Sequence, residues 1–382
     1  MKPEVLALSI VQFHKLCSEF SNTEQQHSDA RKNRFKQRLM DVSSRFLNHN
    51  IHNLTEADIK DIDHNLKIFW PWATALDCKN GYTLSKETRG ILDNLCKLWI
   101  PDNDKYIFAA TDGDFAICRN ASDWKVLADS IRRIYNVDFQ SYLVTFYTPK
   151  HLKDDYLFIG TVYHEFGHFY IEYNNMADSV AQKVKVCIDN GEPYSKDLLS
   201  IWFEAINLAK DEKGNIDPNK RDSIIDSQTE EYMADLFGAQ YLGFHLTEHI
   251  ESNRHGRMDE MSQSHPAPNK RNQLISEFYD IDNHKSNLFL QWIIDEFQYY
   301  GKPLKKRFLD LDSSQFIAGK PMVLNNDDEL HSVFHLAWNV YMKQMSPRTD
   351  ATGKRIVSTI DHHIYSKINE AVRQSIANYL HL

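Results

Sequence analysis

The stretch Thr161–Tyr173, TVYHEFGHFYIEY, places His164 and His168 four residues apart, with Glu165 directly after the first. On a helix, side chains at i and i+4 lie one above the other, so both imidazoles would share one face. Leu157, Thr161, His164, His168 and Ile171 form one stripe at helical spacing, among apolar Val162, Phe166 and Phe169. Two glycines, Gly160 and Gly167, interrupt this helical stretch. Each costs about 1 kcal/mol against alanine in a helix, which points to another chain segment approaching closely at those turns. The motif therefore asks for a helix, a close neighbour and a further ligand from elsewhere in the chain.

A hydrolytic zinc takes three protein ligands and keeps a fourth position open. The extended pattern HExxHxxGxxH is absent, because Ile171 and Asn174 stand where glycine and histidine would be needed. TEEYMADLFGAQ (Thr229–Gln240) offers the missing group, since Glu231 and Asp235 are again four apart on one face. Ala234 and Gly238 beside them are small enough for close helix packing. Glu231 can bind the ion while Asp235 accepts a hydrogen bond from the non-ligating nitrogen of His164, which fixes the tautomer.

HEFGH, then EEYMAD, then SHPAPNKR resemble the gluzincin metallopeptidases, in particular the branch holding the CAAX prenyl endopeptidases and their bacterial relatives. That branch carries HExxH, ExxxD and HPxxxxR in this order. The matching residues are His164 to His168, Glu231 to Asp235, and His265-Pro266 through Arg271, within roughly residues 140–275. The membrane helices common in that branch are missing. The resemblance implies Zn2+ on His164, His168 and Glu231, Glu165 as general base and Asp235 behind the ligands. It puts His265 and Arg271 near the substrate or the developing oxyanion. The implied activity is that of a metalloendopeptidase, in which a zinc-activated water attacks a peptide bond of a protein or peptide substrate and Glu165 moves the proton to the leaving amine. The alternative is a latent or inactive zinc-binding pseudoprotease that serves as an interaction scaffold. Helices covering the cleft would then wait for an activating partner.

Periodicity predicts a helix-rich α+β chain with helical regions over 1–100 and 281–382, and the resemblance implies that residues 101–280 between them form a zincin-like core. Within the first region, WPWATAL (Trp70–Leu76) reads as a proline-broken packing corner. KYIFAATDGDFAIC (Lys105–Cys118) has the form of a hairpin around a DG turn, and SYLVTFYTP (Ser141–Pro149) that of a strand. That strand could pair with an extended substrate. Helices are predicted over residues 123–135, 177–188 and 196–209, and Lys210–Asp222 as a solvated loop. Asp154 or Asp155 can cap the motif helix, which Asn174–Asn175 can end; Ser227-Gln-Thr-Glu230 has the form of a capping box opening a helix to about Leu242. Further helices are predicted over 286–300, 327–345 and 360–380.

A formal charge of −9 excludes a dedicated nucleic-acid surface. The basic runs Arg31–Arg38 and Lys302–Phe308 read as solvated faces. Cys17, Cys78, Cys96, Cys118 and Cys187 are scattered without a CxxC pair, which fits buried free thiols in a reducing compartment. The N-terminal twenty residues read as an amphipathic helix and no window reaches a membrane span, so a cytoplasmic protein is expected. His245 with His249 and His255, the pair His331 and His335, and His362–His363 read as packing or surface histidines, and Asp112-Gly113-Asp114 as a turn.

Overall fold

The computed structural model describes residues 2–21, 30–48, 53–76, 84–112, 129, 131–139, 141–148, 152, 154–210, 213–253, 261–280, 287–345, 348–349, 355–356 and 362–381. The architecture is helix-rich α+β, and the chain divides into two units, residues 1–85 with 95–153 and residues 86–94 with 154–382. No described helix is long and apolar enough to cross a membrane.

In the first unit, helices α1 (Pro3–Ser21), α2 (Ala30–Leu47) and α3 (Glu56–Leu76) each turn one stripe inward. Leu6, Ile10, Phe13 and Cys17 from α1 meet Phe35, Leu39, Val42 and Phe46 from α2 in a common core. The basic run on α2 is not wholly solvated as expected. Lys32 and Lys36 are buried beside Phe35, because long side chains can lay their methylene stems along an apolar stripe. The corner expected at Trp70–Leu76 is also corrected. The helix α3 continues through position 71, since Ile62, Leu66, Phe69, Ala73 and Leu76 keep one buried stripe on both sides of it. Strand β1 (Tyr106–Asp112) pairs in parallel with β2 (Tyr142–Thr148), with Tyr106 opposite Tyr142. The second run of the expected hairpin lies outside the described residues. So do most of the helix expected before Tyr135, of which 131–135 is helical, and both Cys78 and Cys118. Cys17, Cys96 and Cys187 are buried free thiols. Helix α4 (Lys86–Trp99) has residues 86–94 in the second unit and 95–99 in the first.

The second unit is built around α5 (Thr161–Tyr173), α6 (Met176–Asp189) and the long α7 (Pro218–Leu242). A 3-10 turn, Phe158–Gly160, leads into α5, so Gly160 stands at the helix start rather than inside it. Asp155 accepts from the backbone N–H of Phe158 at 3.0 Å in the turn before, but the motif helix itself starts at Gly160 without the side-chain cap expected from Asp154 or Asp155, because the 3-10 turn stands between them. Asn174 closes α5, and Asn175 takes the left-handed conformation, φ 53°, that separates it from α6. The helix expected over 196–209 is instead three short turns of different pitch, Ser195–Asp197, Leu198–Trp202 and Glu204–Ala209.

The start of α7 is a second correction. It opens at Pro218, inside the expected loop and well before Ser227, because Asp217 accepts from the N–H groups of Asn219 and Lys220 while Pro218 occupies the first turn. After it come α8 (His245–Asn253), α9 (Pro268–Tyr279), α10 (Leu288–Tyr299), α11 (Asp327–Met345) and α12 (His362–Tyr379).

Contact between α5 and α7 positions the site. A Cβ on Gly167 would stand 2.9 Å from Phe237 Cβ and 3.2 Å from the Ala234 Cα and carbonyl oxygen. On the other helix, a Cβ on Gly238 would reach His164 N at 3.3 Å. Backbone meets backbone here because glycine and alanine leave room for it.

Candidate metal centre

Because α5 and α7 touch at Gly167, Ala234 and Gly238, the polar faces beside that contact meet as well. His164 and His168 from α5 and Glu231 from α7 bring their ligand atoms within 4.8 Å of one another. His168 Nε2 lies 3.1 Å from His164 Nε2 and 3.4 Å from Glu231 Oε1. His164 Nε2 lies 3.7 Å from Glu231 Oε2. Four ligands at zinc bond lengths of 2.0–2.1 Å define a tetrahedron whose edges are about 3.4 Å. The two separations that share His168 Nε2, 3.1 Å to His164 Nε2 and 3.4 Å to Glu231 Oε1, lie close to that edge, and one ligand atom from each of the three residues lies within 4.8 Å of the others, so the donor set suits a tetrahedral ion with one corner left for a further ligand.

The outer nitrogens also face carboxylates. His168 Nδ1 is 3.0 Å from Glu230 Oε1, and His164 Nδ1 is 3.1 Å from Asp235 Oδ1. The second contact is close in distance, but the ring N–H is not aligned for a hydrogen bond. Asp235, fully buried, is instead held by both arms of Arg271: Nε donates to Oδ2 and Nη2 to Oδ1, each at 2.6 Å. Arg271 Nη2 also lies 3.4 Å from Glu231 Oε2. It sits in the first turn of α9 and is itself buried.

The placement of each expected residue can now be stated. His164, His168, Glu231 and Asp235 come together as expected. His265 reaches the cluster too, its Nε2 3.4 Å from Glu231 Oε1, its Nδ1 2.8 Å from Ser264 Oγ, and its side chain 42% exposed. Arg271 is not on an open face toward a substrate; the buried bidentate pair turns it onto Asp235 and Glu231. Glu165 is half-buried on α5, and its charge acts on His168.

Glu230 is the residue that sequence reasoning missed. Its place in an apparent capping box suggested a helix-end role, whereas its carboxylate orients His168. The usable signal is its position directly before Glu231 on the same helix.

Burial alone would push the His168 imidazole down. The charge of Glu231, the hydrogen bonds that the ring donates to Glu230 and Glu231, and the charge of Glu165 outweigh it and hold the group well above its usual range. Burial would push Glu231 up, but His168, Arg271 and His164 hold it well below. Asp235 is likewise held low against burial by Arg271. The negative charges that favour a proton on His168 would equally favour a divalent cation in its place.

The remaining histidines have other work. Neutral His331 bridges Tyr163 OH at 2.9 Å and Asn94 Oδ1 at 2.9 Å. His335 Nδ1 is 3.0 Å from the Leu242 carbonyl and its Nε2 3.2 Å from Asn339 Nδ2. His245 Nδ1 pairs with Glu248 at 2.7 Å, His363 is exposed, and His255 lies outside the described residues. Among the described residues, His164, His168 and Glu231 form the one group suited to holding a metal ion.

Comparison with known proteins adds nothing to this geometry: no family model, no curated protein and no solved structure matches the chain.

Proposed function

We propose that this protein is a zinc-dependent metallopeptidase of gluzincin type acting on a protein or peptide substrate. The observation that carries the reading is the spacing of the two Nε2 atoms and the Glu231 carboxylate at the edge length of a zinc tetrahedron, with carboxylates behind both imidazoles. Zinc bound there supplies Lewis acidity, lowering the pKa of a coordinated water to about 7 and polarising a carbonyl.

The chain's own residues supply the rest. His164, His168 and Glu231 would hold the ion, Glu230 orients His168, Asp235 stands 3.1 Å behind His164 Nδ1, and Arg271 holds Asp235. Glu165, directly after His164 and half-buried, takes the proton from the attacking water and delivers it to the leaving amine. His265, with an exposed imidazole beside Glu231, is placed to donate to the carbonyl oxygen as it gains negative charge.

Glu165→Gln tests the reading. Zinc content and fold should be kept while peptide cleavage, followed by proteomic comparison of cells expressing each form, falls to background, because an amide cannot accept the proton. Cleavage at the wild-type rate in this variant would remove Glu165 from the chemistry. Zinc binding without any cleavage by the wild type would favour a scaffold.

A further inference from the structure

Glu231 presents two different oxygens. Oε1 is 3.4 Å from His168 Nε2 and 3.4 Å from His265 Nε2. Oε2 is 3.4 Å from Arg271 Nη2 and farther from the nearest imidazole nitrogen, 3.7 Å from His164. A carboxylate free to rotate would offer both oxygens to a cation equally. Here Oε2 alone has a guanidinium beside it.

The hold is rigid because of what else Arg271 does. Its Nε and Nη2 grip both oxygens of Asp235 at 2.6 Å, and a bidentate pair of this kind fixes the plane of the guanidinium. Asp235 is fully buried and lies one helical turn beyond Glu231 on α7, so one planar fork spans both carboxylates. Arg271 is anchored in its turn within the first turn of α9, where its backbone N–H donates to the Ala267 carbonyl at 3.2 Å. Lysine could not reproduce this, since its ammonium is a single point charge on a flexible stem.

We propose that Arg271 is a positioning residue of the metal centre: it restrains Glu231 Oε2, so that the carboxylate offers the ion one oxygen and the fourth corner stays open. This rests on the metal reading above but not on any peptidase activity. The restraint also orients Asp235 behind His164, so that one side chain on α9 organises two of the three ligands. Without Arg271, Glu231 can swing to offer both oxygens, which raises the coordination number and fills the position a substrate or water would use.

Cobalt(II) as a substitute ion tests this, because its visible absorption is most intense in four-coordinate sites and falls as the coordination number rises to five and six. Purified full chain should bind about one equivalent of cobalt with tetrahedral-type bands. Arg271→Lys should bind about 10- to 100-fold more weakly, as changes behind the ligands do, and its bands should weaken as Glu231 becomes bidentate. Removing one member of a buried ion pair can unfold a protein. The neutral double variant Arg271→Gln with Asp235→Asn therefore runs in parallel, with far-ultraviolet circular dichroism as the check on fold, and the same weakening of the bands is expected. Wild-type affinity and band intensity in either folded variant would overturn the proposal. Failure of the wild-type chain to bind cobalt or zinc at all would overturn the metal reading itself.

Discussion

Substituting Gly167 by alanine tests whether the contact between α5 and α7 builds the site. The added Cβ would lie 2.9 Å from Phe237 Cβ, about 0.6 Å inside the 3.5 Å at which two carbon atoms reach their best separation. Two further contacts at 3.2 Å, to the Ala234 Cα and carbonyl oxygen, are backbone and cannot rotate away. Alanine favours the helix by about 1 kcal/mol over glycine, while overpacking a close-fitted interior costs about 1–3 kcal/mol. The expected net loss is about 0–2 kcal/mol. The functional effect should be larger. Separating the helices by about 0.6 Å carries Glu231 away from both imidazoles by three times the tolerance of about 0.2 Å that zinc ligand distances allow. Chelator competition should therefore show zinc affinity reduced at least tenfold, while thermal unfolding of the metal-free protein shows the modest stability loss. Gly238→Ala is the graded comparison. Its closest contacts are 3.2 Å to the side-chain tip of Leu246 and 3.3 Å to His164 N, both longer than the 2.9 Å contact at Gly167, so a smaller change is expected in both assays. A Gly167→Ala protein with unchanged unfolding temperature and zinc affinity would show that the helices are not packed through this residue.

Metal analysis of purified protein should give about one zinc per chain, lost in His164→Ala, His168→Ala and Glu231→Ala; retention in all three would end the assignment. Glu230→Gln should keep zinc but bind it about tenfold more weakly, since an amide is a poorer acceptor for His168 Nδ1, and an unchanged dissociation constant would make Glu230 a bystander. Burial pushes His331 down to about 4, against about 6.5 in an unfolded chain. Between those values the unfolded state binds the extra proton, so stability is full above pH 6.5 and is lost as pH falls toward 4, by about 3 kcal/mol in all. Urea unfolding across this range should show that slope, and His331→Gln should flatten it; a variant keeping the whole slope would mean that His331 does not stay neutral in the fold.

The features legible in the sequence are those set by near neighbours in the chain. Two histidines four apart share a face of any helix, and the run from Ser141 must extend, because β-branched and aromatic residues crowd a helix and suit a strand. The strand found is Tyr142–Thr148, and α10, α11 and α12 begin and end within a few residues of the predicted limits. Glu231 was legible for the same reason, through its spacing to Asp235 and the small residues beside it. Where a local signal misled, a stronger one competed with it. Ser227 with Glu230 has the form of a helix start, but Asp217 and Pro218 had already begun the helix, which left Glu230 free to face His168.

Tertiary structure decided the partners. No spacing in the sequence says that β1 runs parallel to β2, because that pairing joins residues thirty-six positions apart, Tyr106 with Tyr142. Nor does any spacing say that Arg271 turns inward to Asp235 and Glu231 instead of outward to a substrate. An arginine six residues after a histidine is compatible with either direction. What settles it is that α9 brings a buried guanidinium against two buried carboxylates on α7, where each charge would be costly alone and is tolerated only beside the other.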